Sequence, residues 1–215
     1  MRNDNKDKSV NKRVKKSSFL PNVYQELLIK YGIIFWHFAD RIACKIKKIG
    51  TIYEDVIGKV YREEREIFNL KNSKNILHIG CGSYPITAMI LAEMDDVKIT
   101  TIDSNKKSLK YADKVVRKRG LENKIKTDYG DGTSYPLKEF DTIIVSGCSV
   151  PKIKVLTYIL QNAEPKTRII TRTSYTDVES LINALNLQND ITVVKKIDFH
   201  PPPSSYWTAY YLEKK

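Results

Sequence analysis

The chain has 215 residues, enough for one domain with a small appendage, and 41% of them are hydrophobic, an ordinary share for a globular protein. Its three cysteines, Cys44, Cys81 and Cys148, form no Cys-x-x-Cys pair, which argues against a disulfide framework or a structural zinc site; no metal site is expected, and the setting expected is a reducing cytoplasm. The formal charge is +12, with seven basic and two acidic residues among the first 17. That stretch has little to bury and reads as a disordered basic tail over 1–17. Its plain role is solubility; RNA or an anionic membrane is the partner it could touch. No secretory leader is legible. The longest apolar run, IIFWHFADRIACKI, has 14 residues and carries His37, Asp40 and Arg41, too short and too charged to span a bilayer.

Residues 18–72 read as a helical N-terminal cap. PNVYQELLIKYG starts with Pro21 and stops at Gly32 in the manner of a helix. IIFWHFADRIACKIKKIG follows and closes at Gly50 with a lysine-rich last turn. TIYEDVIGKVYREEREIFNL places Tyr53, Val56, Ile57, Val60, Tyr61 and Ile67 at helical spacing, with Thr51 and Glu54 set as a capping box. From Asn75 the rhythm becomes short apolar strands alternating with helices: NILHIG, PITAMILAEM, VKITTID, NKKSLKYADKVVRKRG, KIKTDYG, FDTIIVSG, PKIKVLTYILQN, TRIITRT and TDVESLINALNL. Two strands, ITVVKKIDF and WTAYYLEKK, close the chain around HPPPSSY. Alternation predicts an α/β, mostly parallel sheet with helices on both faces. The final strand pair, with no helix between its members, predicts an antiparallel hairpin at the sheet's end.

In such a sheet a ligand binds beyond the carboxyl ends of the strands. Three features fall there. The first is the turn Gly80-Cys81-Gly82-Ser83, where glycine lets a ligand lie against the main chain. The second is Asp103, 23 residues after Gly80 at the end of the second strand, placed to accept the ribose hydroxyls of a nucleoside. Asp103 or Ser104 could equally cap the next helix. The third is YGDGTSYP, where Asp131, followed by Gly132, could accept from an adenine amino group or simply make a turn. Ser146, Gly147 and Cys148 end the fourth strand and leave room for the rest of the ligand. The third glycine of a dinucleotide fingerprint would fall at Pro85, which lacks the backbone donor that a pyrophosphate needs.

Taken together these residues resemble the class I S-adenosylmethionine-dependent methyltransferases, with a Rossmann-like sheet, over residues 73–215. GCGSYPITAMILA further resembles the turn of the nicotianamine synthases at Gly80, Gly82, Pro85 and Thr87, and TRIITRTSYT at 167–176 resembles their fifth strand and its exit. Ser83 and Tyr84 depart from that family's proline and leucine, and the N-terminal part is shorter than in its archaeal members. The resemblance implies S-adenosylmethionine as co-substrate and transfer of its aminocarboxypropyl group to an amine. It also implies a tyrosine and a glutamate ahead of the turn; Tyr53 and Glu64 are the candidates, against the alternative that acids beside Arg62 and Arg65 form a solvated helix face. Arg172 could hold a substrate carboxylate, and Tyr84 either borders the substrate or blocks the pocket.

The partner expected is therefore a small-molecule acceptor, and a homodimer stays open. Methyl transfer to a small molecule is the alternative reaction. Nucleic-acid methylation is supported by the charge, but the fourth strand ends in SGCSVP rather than the Pro-Pro-aromatic block of base-amino methylases. A binding module without catalysis is the third reading, with Tyr84 filling the pocket.

Overall fold

The structure is a computed structural model that describes residues 23–174, 176–200 and 206–215. The basic tail expected over 1–17 and most of HPPPSSY lie outside the described residues.

Seven strands form one sheet in the order β3-β2-β1-β4-β5-β7-β6. β1 (Asn75–Ile79), β2 (Lys98–Asp103), β3 (Ile125–Tyr129), β4 (Thr142–Val145) and β5 (Arg168–Thr173) run parallel. β7 (Trp207–Lys214) inserts antiparallel between β5 and β6 (Ile191–Phe199), so the final strand pair is the hairpin the sequence predicts. β1 is buried after its first residue and β4 throughout. A parallel strand covered on both faces needs such a continuous apolar run.

Strand alternation divides the core in two. On one face Ile76, Ile99, Ile144 and Ile170 pack beneath the N-terminal helices, α4 (Ile86–Leu91) and α5 (Lys106–Lys118). On the other, Leu77, Ile79, Ile143 and Val145 pack against α6 (Lys152–Asn162) and α7 (Val178–Ala184). His78 is a buried polar residue in the middle of β1. Its Nδ1 lies 2.9 Å from Thr101 Oγ1 and its Nε2 2.8 Å from Ser146 Oγ. Burial pushes its pKa down to about 3, so the imidazole is neutral and needs one hydroxyl to donate and one to accept.

The cap departs from its sequence reading in three places. α1 runs unbroken from Val23 to Lys45, straight through Gly32. Glycine inside a helix costs about 1 kcal/mol against alanine, too little to end one that is otherwise continuous. The break comes at Ile46, whose backbone is extended at φ −112° and ψ 103°. Thr51 lies inside α2 (Lys47–Tyr53), where its Oγ1 donates to Lys47 O at 3.1 Å, so no capping box forms. Gly50 also sits inside α2 rather than at a helix end; a Cβ there would stand 3.0 Å from Tyr84 Oη. A π-helical turn, Glu54–Gly58, leads into α3 (Lys59–Ile67). Gly58 in that turn lets the chain approach Ile90 of α4, to which a Cβ would come within 3.2 Å.

Candidate active site

The glycine turn leaves β1 with positive φ at Gly80 (+82°) and Gly82 (+65°), a conformation that costs glycine nothing. Gly80 N and Cys81 N both donate to Ile102 O of β2, at 2.9 and 3.1 Å. Gly82 N donates to Asp103 Oδ2 at 2.9 Å, and Asn105 N donates to Asp103 Oδ1 at 2.8 Å. Asp103 thus ties the turn to the start of α5 and stays half-buried, with one backbone donor on each oxygen. The residue that caps α5 is Asn105, not Asp103 or Ser104; its side chain accepts from Lys107 N at 3.0 Å and Ser108 N at 3.2 Å. Ser104 is exposed, whereas Cys81 and Ser83 are buried in the turn.

Asp40, which the sequence reading did not single out as a candidate, lies against the glycine turn. It projects from α1 onto the turn, where a Cβ on Gly82 would overlap its Oδ2. Tyr53 Oη donates to Asp40 Oδ1 at 3.2 Å, and the backbone of Ser83 and Tyr84 also favours the charged carboxylate. Desolvation outweighs these donors, and the neighbouring Asp103 charge adds to it, so the pKa of Asp40 rises to about 7. Burial and the nearby Asp40 charge hold Tyr53 well above its ordinary value, so Tyr53 remains a hydrogen-bond donor. Cys44 Sγ donates to Ser83 O at 3.0 Å and pins α1 to the turn a second time.

Tyr84 is 4% exposed and turns towards the cap. Its ring packs on Tyr53 with centroids 5.9 Å apart. Its hydroxyl donates to Glu54 Oε1, which also accepts from Arg119 Nη2, and Arg119 closes the triangle on Tyr84 Oη at 3.1 Å. The residue joins the cap, the turn and the end of α5.

Glu64 and Arg172 meet each other. Arg172 Nη2 lies 2.8 Å from Glu64 Oε1, and Arg172 Nε lies 3.0 Å from Glu64 Oε2, with the two side chains only 3% and 2% exposed. Arg172 Nη1 donates to Thr87 Oγ1 at 2.9 Å, and its guanidinium lies 3.8 Å from the Tyr61 ring centroid. The solvated-face reading of this helix therefore fails at Glu64. Arg62 and Arg65 turn instead to Glu93, beyond α4, at 2.6 and 3.2 Å. Thr87 and Arg172 belong to the two sequence blocks that carried the family resemblance, and the structure puts those blocks in contact.

At the end of β4, Ser146 is half-buried and holds His78; Cys148 is half-buried beyond it. Lys152 is 3% exposed. Its Nζ donates to Ser146 O and, at 3.1 Å, to Arg172 O, so it laces the ends of β4 and β5 together. Burial pulls its pKa down to about 7 and pushes the Cys148 thiol up to about 11. A neutral amine has two N–H groups, and two carbonyls are there to receive them. All three cysteines are free thiols. Asp131 is exposed, and its Oδ1 accepts from both Thr133 N and Thr133 Oγ1 at 2.8 Å, closing a turn; Gly132 is buried, and a Cβ there would stand 2.6 Å from Ile79.

Residues 65–147 match the family model described as the methyltransferase small domain. Among solved structures, a glutamate-to-glutamine mutant of MtNAS, a nicotianamine synthase, in complex with S-adenosylmethionine aligns with a TM-score of 0.65 and 17% identity over 88% of this chain and 75% of that one. MtNAS in complex with MTA and tNA aligns at 0.63 and 15% identity, over 88% and 74%. A SAM-dependent methyltransferase from Aquifex aeolicus aligns at 0.58 and 18% identity, over 72% and 89%. The 88% shared with MtNAS is more than residues 73–215 hold, so that likeness takes in N-terminal helices as well as the sheet. At these identities the likeness is one of fold, and the chain carries the Rossmann-like fold of the class I S-adenosylmethionine-dependent methyltransferases, with a helical N-terminal segment, as the nicotianamine synthase does.

Proposed function

We propose that the chain is an S-adenosylmethionine-dependent transferase acting on a small amine or amino-acid-like acceptor, and that the group it moves is the aminocarboxypropyl group. The observation that carries this reading is the Asp40 carboxylate, steadied by Tyr53 and set against Gly82 in the turn. A half-buried carboxylate among backbone donors, in a nucleoside site, is suited to meet an ammonium group.

The residues fit such a co-substrate. Gly80 and Gly82 leave bare backbone where a Cβ would collide with Ser149 or Asp40. Asp103 has a single backbone donor on each oxygen and keeps lone pairs for two ribose hydroxyls. Gly132 keeps the exit of β3 low beside the exposed Asp131, the acceptor for an adenine amino group. When bound, the sulfonium makes both its methyl and its γ carbon electrophilic, so orientation of the acceptor chooses between them.

Asp40 would take the proton that an ammonium acceptor must lose before its nitrogen can attack. A pKa near 7 suits that task at neutral pH. Tyr53 holds the carboxylate in place and keeps its own proton. In this reading the carboxylate's role as base, expected of Glu64, passes to Asp40, since Glu64 is already bound by Arg172. Methyl transfer is the second reading, favoured by the match of residues 65–147 to a methyltransferase domain.

The test is to incubate the protein with S-adenosylmethionine and a panel of diamines and amino acids, then identify the nucleoside product by mass spectrometry. Methylthioadenosine is expected. S-adenosylhomocysteine would overturn aminocarboxypropyl transfer in favour of methyl transfer. Absence of calorimetric binding of S-adenosylmethionine would overturn both.

A further inference from the structure

α1 has two faces of opposite character. Trp36, Asp40, Ala43 and Cys44 recur at helical spacing on the face turned to the glycine turn and the core. Tyr31, Ile34, Phe35 and Phe38 recur on the opposite face, at 68%, 53%, 56% and 63% exposure. Ile46, Ile49 and Ile52 extend the exposed apolar set through the break into α2. All seven are more than a third exposed, a concentration of exposed apolar side chains of the kind that marks an interaction surface.

Between Tyr31 and Ile52 the exposed charged residues are basic. Arg41, Lys45, Lys47 and Lys48 are exposed, and among the described residues none of them is in an ion pair. Between Tyr31 and Ile52 the one acid is Asp40, which is turned inwards onto Gly82. No described helix is long and apolar enough to cross a membrane. A helix with aromatic and isoleucine side chains on one face and unpaired lysines and arginine beside them has the composition of an interfacial helix. An anionic bilayer supplies the charge that complements these four cations.

We propose that the outer face of α1 and the start of α2 dock on an anionic lipid bilayer. Phe35 and Phe38 sink into the acyl boundary, while Arg41, Lys45, Lys47 and Lys48 meet lipid phosphates. The inference is independent of the reaction proposed above.

Vesicle flotation of the full chain tests it, with phosphatidylcholine alone and with phosphatidylcholine containing phosphatidylglycerol. Binding to the anionic vesicles should exceed binding to the neutral ones about tenfold or more. The pair Phe35→Ser with Phe38→Ser, and separately Lys45→Glu with Lys48→Glu, should each lower it about tenfold with an unchanged circular dichroism melt. Equal or absent binding to both vesicles would overturn the proposal. So would anionic binding that survives the Phe35/Phe38 pair but vanishes on removal of residues 1–17, which would assign it to the tail. A dimer in sedimentation equilibrium that the Phe35/Phe38 pair dissolves, with no vesicle binding, would assign the face to a second copy.

Discussion

Asp40→Asn should make the protein more stable and less active, with both effects set by pH. Burial raises the Asp40 pKa from 3.8 to about 7. The unfolded chain loses this proton near pH 4 and the folded chain holds it until about pH 7. Ionisation therefore favours the unfolded state, and the wild type loses stability across that window. A shift of this size corresponds to about 4 kcal/mol once pH exceeds 7, at about 1.4 kcal/mol per unit. Asparagine carries no charge to desolvate, and its carbonyl can still accept from Tyr53. After about 1 kcal/mol for weaker bonds to the turn amides, the variant should gain roughly 2–3 kcal/mol at pH 8.5. At pH 4.5 it should gain nothing. His78 and Lys152 also have shifted pKa values, but both proteins contain them, so they cancel in the difference. Urea unfolding of both proteins at the two pH values measures it. In the transfer assay the variant should lose most activity, and the wild-type rate should rise through pH 7. A variant destabilised equally at both pH values would refute the burial argument. A fully active one would refute the role of Asp40 as base.

Three further substitutions separate site from scaffold. Glu64→Gln leaves Arg172 buried without its counter-charge and should cost about 3 kcal/mol or more; a change under 1 kcal/mol in urea unfolding would mean that Arg172 finds another partner. Asp103→Ala should weaken S-adenosylmethionine binding about tenfold to a hundredfold by calorimetry, the effect of one charged hydrogen-bond acceptor, and an unchanged affinity would remove Asp103 from the ribose. Tyr84→Phe removes the hydroxyl between Glu54 and Arg119 and should cost about 1 kcal/mol of stability; weakened co-substrate binding without loss of stability would instead put Tyr84 in the pocket.

The sheet was legible because its signals are local. β1 and β4 are short apolar runs, α5 and α6 repeat at helical spacing, and two strands without a helix between them, β6 and β7, close the chain as the hairpin. The cap was less legible. Gly32 and Gly50 looked like stops, yet neither terminates a helix, because a glycine penalty near 1 kcal/mol yields to a continuous helix or to close packing beneath Tyr84. The sequence singled out the glycine turn and Asp103 because residues near β1 and β2 read as a pattern, and the structure places them in contact. Asp40 escaped because its partner, Gly82, lies on another element 42 positions away, and a lone acid in an apolar run reads as an interruption. The available signal was its spacing from Trp36, Ala43 and Cys44, which puts a carboxylate on an inward helical face. Glu64 and Arg172 were each singled out, but their pairing was not, since they lie 108 residues apart. At the start of α5, three adjacent polar residues could each have capped, and only the backbone conformation selects Asn105.

α1 is a lever between two environments. Phe38 and Asp40 are two positions apart, yet one faces outwards and the other presses on Gly82. A movement of the helix that relieves one contact disturbs the other. A displacement of α1 that lifted Asp40 from the turn would carry the outer face with it. Linkage makes that exchange reciprocal: a ligand in the turn must change affinity at the outer face by the same factor as the reverse.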